Sequence, residues 1–192
     1  MSDAFRTTAI VLAGGRGLRL GGVDKAWLTW RGRPLIETTL TCLQPQVEQV
    51  LVVANAHAAR YAALGVACVG DSREGQLGPM AGLEAGMQRC DTPWVLCVPV
   101  DAPHLPGDLT LKLHAVAARD GARACDAEGM QPLLALYRRD AVLASLIAAL
   151  DRGERAMHRW QAGLALGTHD WSPARFGNLN TPADLLAGQD ES

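Results

Sequence analysis

Four short, almost wholly apolar runs mark the first hundred residues: 8–13 (Thr-Ala-Ile-Val-Leu-Ala), 49–54 (Gln-Val-Leu-Val-Val-Ala), 66–69 and 94–98 (Trp-Val-Leu-Cys-Val). Each is shorter than an ordinary helix and is stopped by Gly, Pro or a polar residue. Runs of this kind read as strands buried on both faces. Between them the apolar spacing turns helical. Pro34 opens a helix with Leu35, Ile36, Thr39, Leu40 and Leu43 on its apolar face, and further helices are expected over 57–64, 80–89 and 106–118. A short strand over 27–30 leads into an Arg31-Gly32-Arg33 turn. Buried strands alternating with helices fold into a mostly parallel sheet covered on both faces. After residue 120 the texture changes. A strand is expected over 133–137, helices over 140–150 and 155–162, an extended run over 164–171, and a short helix over 182–187 capped by Thr181.

Composition narrows the class. A chain of 192 residues suits one α/β domain and is cramped for two. Lys plus Arg total 18 against 20 Asp plus Glu, a net charge of −2. That lacks the basic footprint of a nucleic-acid binder but leaves room for a local cationic pocket. The five cysteines, Cys42, Cys68, Cys90, Cys97 and Cys125, form no CxxC pair, so neither a disulfide scaffold nor a structural zinc site is expected. No apolar run approaches the ~20 residues of a membrane span, and Asp3 precedes a first apolar run too short for a secretory leader. The expectation is a soluble cytoplasmic protein.

In open α/β sheets ligands bind beyond the carboxyl ends of the strands. The polar and glycine-rich residues fall there. Leu12-Ala-Gly-Gly-Arg-Gly-Leu-Arg-Leu-Gly-Gly-Val-Asp-Lys25 follows the first strand. Its glycines, Gly14 and Gly15 foremost, let backbone N–H groups approach phosphate oxygens, while Arg16, Arg19 and Lys25 bring charge. Neither a Walker A ending nor a dinucleotide fingerprint fits, because Val23 follows Gly22 and Leu20 stands where a third glycine would be needed. Asp101, between Pro99 and Pro103, is a stiffened carboxylate suited either to Mg²⁺ beside phosphates or to capping a turn. Asp71 can accept from a base or ribose. Gly78 and Gly82, at a helix opening, either leave room for a purine or serve helix packing. Asn55 either bonds a ligand or holds a turn. Asn178 and Asn180 flank Leu179 and face one way on an extended segment, suited either to a second substrate's polar edge or to holding turns.

These motifs, in this order, resemble the molybdenum cofactor guanylyltransferases of the nucleotidyltransferase family. The opening resembles that family's LAGG-x-x-x-R-M-G-G-x-D-K, with Leu20 in place of Met. Gly32-Arg-Pro-Leu35, Asp71-Ser72, Gly78-Pro-Met-Ala-Gly82, Pro99-Val-Asp-Ala-Pro103 and Asn178-Leu-Asn-Thr-Pro182 resemble its later elements. Val53 stands where an Asn is frequent, and Gln131-Pro132 replaces a more usual His-Pro. The resemblance implies a single-domain, Rossmann-like, three-layer αβα fold over 1–192, with a GTP-binding half to about residue 105 and a pterin-facing half over about 106–188. It implies transfer of GMP from GTP to the terminal phosphate of Mo-molybdopterin, with Mg²⁺ on Asp101. Arg19, Lys25 and Asp101 would be catalytic. Leu12, Ala13, Gly14, Gly15, Lys25, Asn55, Asp71, Gly78, Gly82 and Asp101 would bind GTP, and Asn178 and Asn180 would face the pterin. It further implies transient contacts with cofactor-assembly proteins and apo-molybdoenzymes. The alternatives are the sister cytidylyltransferase, or a non-catalytic carrier of nucleotide or cofactor.

Overall fold

The computed structural model describes residues 5–14, 24–73 and 78–179, together with Asp184. The 8–13 run forms β1 (Thr7–Leu12), and its partners are β4 (Gln49–Val53), β5 (Ala67–Val69) and β6 (Trp94–Pro99). All four are parallel, in the order β5-β4-β1-β6. Alternate residues on each strand enter opposite cores, as a period of two requires. Ala9, Val11, Val52, Leu96 and Val98 face one layer, and Ile10, Leu51, Val53, Val95 and Cys97 the other.

The first layer is closed by α1 (Leu35–Leu43), α2 (Ala58–Ala63) and α4 (Leu109–Val116), which bury Leu35, Ile36, Tyr61, Leu109 and Leu113. The apolar face expected of α1 is the buried one. Before it, β2 (Thr29–Trp30) and β3 (Arg33–Pro34) form a two-stranded hairpin. The second layer is closed by α3 (Pro79–Arg89), α5 (Arg139–Asp151) and α6 (Met157–Gln161), through Met80, Leu83, Met87, Val142, Leu146 and Trp160.

The sheet is completed by β7 (Gly121–Asp126), β8 (Gly129–Arg138) and β9 (Leu166–Asp170), extending the order to β6-β8-β7-β9. β8 runs antiparallel to both of its neighbours, whereas β7 and β9 are parallel. The sheet is thus mixed and mostly parallel, with helices on both faces.

Four local expectations change. β7 was not anticipated, because Gly-Ala-Arg-Ala-Cys-Asp carries no β-branched residue. β8 starts at Gly129 rather than 133, and its register slips opposite Arg123 and Ala124, which accommodates Pro132 at a bulge. α4 starts at Leu109, because residues 106–108 form a turn closed by the Leu109 N–H to Pro106 carbonyl bond. The strand expected over 27–30 shrinks to Thr29–Trp30, since Asp24 caps a 3-10 turn over Lys25–Trp27. The helix expected over 182–187 lies outside the described residues, Asp184 apart. Among the described residues no helix is long and apolar enough to cross a membrane.

Candidate active site

Connections from β1 lead through α1 to β4 on one side, and β6 is reached through α3 on the other. The crevice at the carboxyl end of β1 is therefore the switch point where α/β sheets take ligands. A cleft of about 420 Å³ opens there, lined by Leu12, Ala13, Gly14, Lys25, Asp71, Gly78, Asp101 and Leu133 among others. This volume is within the range of small-molecule sites.

Backbone pairing sets its floor. Ala13 N–H donates to the Val53 carbonyl at 2.9 Å, and Val100 N–H to the Leu12 carbonyl at 3.2 Å. The strand ends that carry Gly14 and Asp101 are thereby locked side by side. Lys25 is held by its own turn. The Asp24 carboxylate accepts from Ala26 N–H at 3.0 Å, and Ala26 is fully buried. Trp27, next in the turn, packs on Tyr61 and beneath the Arg60 guanidinium, 3.6 Å from its ring centre. From this platform Lys25 reaches across the cleft, and its Nζ lies 2.7 Å from Asp101 Oδ2. Both side chains are only about one-fifth exposed, at 20% and 18%.

Asp71 closes the opposite wall. Its N–H donates to Asn55 Oδ1 at 2.8 Å, and Asn55 Nδ2 donates back to Asp71 Oδ2 at 3.0 Å. Asn55 thus holds Asp71 rather than lining the cleft, which leaves Asp71 Oδ1 to meet a ligand. Gly82 lies beneath that oxygen. A Cβ there would stand 3.2 Å from Leu12 Cδ2 and 3.6 Å from Asp71 Oδ1, so packing alone already favours glycine. Gly78, at φ +81°, makes the turn that Pro79 continues as the first residue of α3.

The carboxy-terminal segment reaches the same rim. Leu179 N–H donates to the Asp101 carbonyl at 3.0 Å, which places exposed Asn178 beside the Asp101 loop. Gly15, Arg19 and Asn180 lie outside the described residues. Sequence reasoning passed over Asp24, the cap that aims Lys25. The Asp immediately before Lys25 was the available signal. It also passed over Leu133, which lines the cleft from the stretch of β8 where the register with β7 slips.

The donor set suits an ion that arrives with phosphates. Among the described residues no group of three or more His, Cys, Asp or Glu could hold a metal by itself. One stiffened carboxylate, with phosphate oxygens and water completing an octahedron, is a common way to bind Mg²⁺. Thiol chemistry has no support here. Burial pushes Cys97 up to about 12, and also raises Cys42, Cys68 and Cys90, so these thiols stay protonated at neutral pH.

A switch-point cleft with a lysine, a stiffened aspartate and a backbone floor defines an α/β nucleotide-handling protein. Residues 9–166 match the family described as MobA-like NTP transferase domain, and the chain belongs to it. It is 40% identical over 205 residues to a molybdenum cofactor guanylyltransferase of Acidovorax ebreus, covering 97% of both chains. A protein of the same name from Methylibium petroleiphilum is 39% identical, with 96% of each chain covered. Solved structures share the fold. The molybdopterin-guanine dinucleotide biosynthesis protein A of Archaeoglobus fulgidus superposes with a TM-score of 0.75, at 23% identity, over 95% of this chain and 96% of that one. A CMP:2-keto-3-deoxy-manno-octonic acid synthetase complexed with CTP gives 0.73 at 15% identity, over 96% of this chain and 97% of that one.

Proposed function

We propose that this chain is a molybdenum cofactor guanylyltransferase acting in the cytoplasm. It transfers GMP from GTP to the terminal phosphate of Mo-molybdopterin, giving Mo-molybdopterin guanine dinucleotide and pyrophosphate. The observation that carries the reading is the Lys25–Asp101 pair across a cleft whose other wall is Asp71. Near-full-length identity of 40% to relatives of that name supports the same reading.

In the reaction an oxygen of the acceptor phosphate bonds to the α-phosphorus of GTP as the bond to the β-phosphate oxygen breaks. Pyrophosphate leaves with that electron pair. Such transfers depend on positioning and on charge neutralisation more than on covalent help from the protein. Lys25 sits where it can exchange its carboxylate partner for triphosphate oxygens, and Arg19 adds a second cation from the same loop. Amides of Gly14 and Gly15 hold phosphate oxygens, whereas the Ala13 N–H, expected from the sequence to join them, is already spent on the Val53 carbonyl. Asp71, oriented by Asn55, accepts from the base edge, with Gly78 and Gly82 keeping that wall low. Asp101 would hold Mg²⁺, which would supply neutralisation of phosphate charge. The half over about 106–188 serves the pterin, with Asn178 at the rim of the cleft and Asn180 as a further candidate contact. Cofactor-assembly proteins and apo-molybdoenzymes are the partners expected to deliver and receive the cofactor.

The test supplies purified protein with Mg²⁺, Mo-molybdopterin and either labelled GTP or labelled CTP. Guanylyl incorporation with stoichiometric pyrophosphate release is the expected result. Cytidylyl incorporation would assign the sister activity, and nucleotide binding without transfer would assign a carrier.

A further inference from the structure

Asp126 closes β7 with only 3% of its surface exposed. Its carboxylate accepts three hydrogen bonds. Oδ1 takes the Glu128 N–H at 2.9 Å and the side-chain amide of Gln131 at 2.9 Å, and Oδ2 takes the Phe176 N–H at 2.9 Å. Burying a carboxylate is costly unless its oxygens are satisfied, and three donors converge here to satisfy it. Two donors come from the β7–β8 hairpin, and the third comes from the carboxy-terminal segment 50 residues away in sequence.

That third bond leads to the cleft. Phe176 is 2% exposed and packs edge-on against Trp171, with ring centres 5.5 Å apart. Its carbonyl accepts from His104 N–H at 3.0 Å, and three residues later Leu179 donates to the Asp101 carbonyl at 3.0 Å. The segment over 176–179 therefore lies along the Asp101 loop and is fastened to it at both ends. Asp126 fixes it from behind. Gln131, at the position where the resembling family more usually has His, is engaged in orienting that carboxylate.

We infer that Asp126 is a positioning residue for the acceptor substrate: through Phe176 it sets the Asn178 segment against the Asp101 loop, where a phosphate-bearing acceptor must meet the nucleotide. The inference rests on the guanylyl-transfer reading above. Asp126 does not line the nucleotide cleft, so its effect falls on the acceptor and leaves nucleotide binding alone.

Asp126→Asn keeps the shape but turns one acceptor into a donor that faces another N–H. Gln131→Leu removes a single donor and keeps the carboxylate, so it serves if the first variant does not fold. GTP affinity is measured by calorimetry, and kcat and KM by varying Mo-molybdopterin at saturating GTP. Asp126→Asn is expected to lower kcat/KM for the acceptor about ten- to a hundredfold, mainly through KM, with GTP affinity within about twofold of wild type. Gln131→Leu should move the same way by about threefold. Unchanged acceptor kcat/KM in both variants, or an equal loss of GTP affinity, would overturn the inference. A wild-type protein that binds GTP and transfers, alongside indifferent variants, sinks only this inference. A wild-type protein that binds no GTP sinks the parent reading with it.

Discussion

Lys25 Nζ and Asp101 Oδ2 lie 2.7 Å apart, joining the turn after β1 to the loop after β6 across the switch point of the sheet. The carboxylate that a nucleotide's Mg²⁺ would occupy is thus already neutralised by the lysine that the triphosphate would draw away. Replacing Asp101 with Ala is expected to lower turnover about 100- to 1,000-fold and to abolish the Mg²⁺-dependent part of GTP binding. Lys25→Met should weaken GTP binding and lower stability as well, because it takes this partner from a largely buried carboxylate. Steady-state kinetics and calorimetry on the two variants check both statements. Turnover within a few-fold of wild type for Asp101→Ala would remove the aspartate from the reaction.

Gly86 and Gly82 both sit on α3, and both turn towards packed side chains of the sheet. A Cβ at Gly86 would stand 2.6 Å from Ile10 Cδ1 and 2.8 Å from Ile10 Cγ2, against the central strand. Gly86→Ala should cost about 1–3 kcal/mol through overpacking, a fall in Tm of roughly 2–10 °C, with GTP affinity unchanged. Ile10→Val in the same chain should recover part of the loss. An undiminished Tm would mean that α3 can ride away from the sheet.

Arg73 clips α3 to the end of α5. Its Nε and Nη2 bond Glu84 Oε2 and Oε1 at 2.5 and 2.9 Å, and its Nη1 bonds Asp151 Oδ1 at 2.7 Å. Glu84 is 3% exposed, so Arg73→Met strands a buried carboxylate and should lower stability. The double replacement of Arg73 and Glu84 by Met should restore most of that. Denaturant unfolding of the three proteins gives the comparison, and a double variant no better than the single one would contradict it.

Stability should also depend on His114. Thr7 Oγ1 lies 2.9 Å from the Phe5 carbonyl oxygen and 3.0 Å from His114 Nε2. The rings of Phe5 and Trp94 meet the imidazole edge-on. Burial holds its pKa below the ordinary histidine value, which favours the neutral ring in the folded state. The resulting stability is complete above about pH 6.5, the unfolded value, and is lost as pH falls towards the lower folded value. Tm should therefore fall between pH 7 and 5.5, and His114→Gln should flatten that slope. An equal slope in the variant would place the dependence elsewhere.

Strands buried on both faces announce themselves, because they must be nearly all apolar. β1, β4 and β6, and the inward face of α1, were legible for that reason. β7 was not, because only Ala122 and Ala124 carry its buried face while Arg123 interrupts any apolar run. The site followed the same logic. Gly14, Lys25, Asp71, Gly78 and Asp101 were legible because ligand chemistry collects at strand ends. The Lys25–Asp101 bond, the service of Asn55 to Asp71, and the hold of Asp126 on Phe176 were not. Each joins residues 16 to 76 apart, whose meeting depends on register and loop path rather than on local pattern.

The central claim is that the cleft between Lys25, Asp71 and Asp101 takes GTP with Mg²⁺. Thermal unfolding with GTP, CTP or ATP, each with and without Mg²⁺, tests it most directly. At a hundredfold excess over its dissociation constant a ligand adds about 2.7 kcal/mol, a rise in Tm of roughly 5–10 °C for a chain of this size. Such a rise is expected with GTP and Mg²⁺, with little change for CTP or ATP, and with loss of the Mg²⁺-dependent part in Asp101→Ala. Equal rises with all three nucleotides, or a GTP rise indifferent to both Mg²⁺ and Asp101, would contradict it.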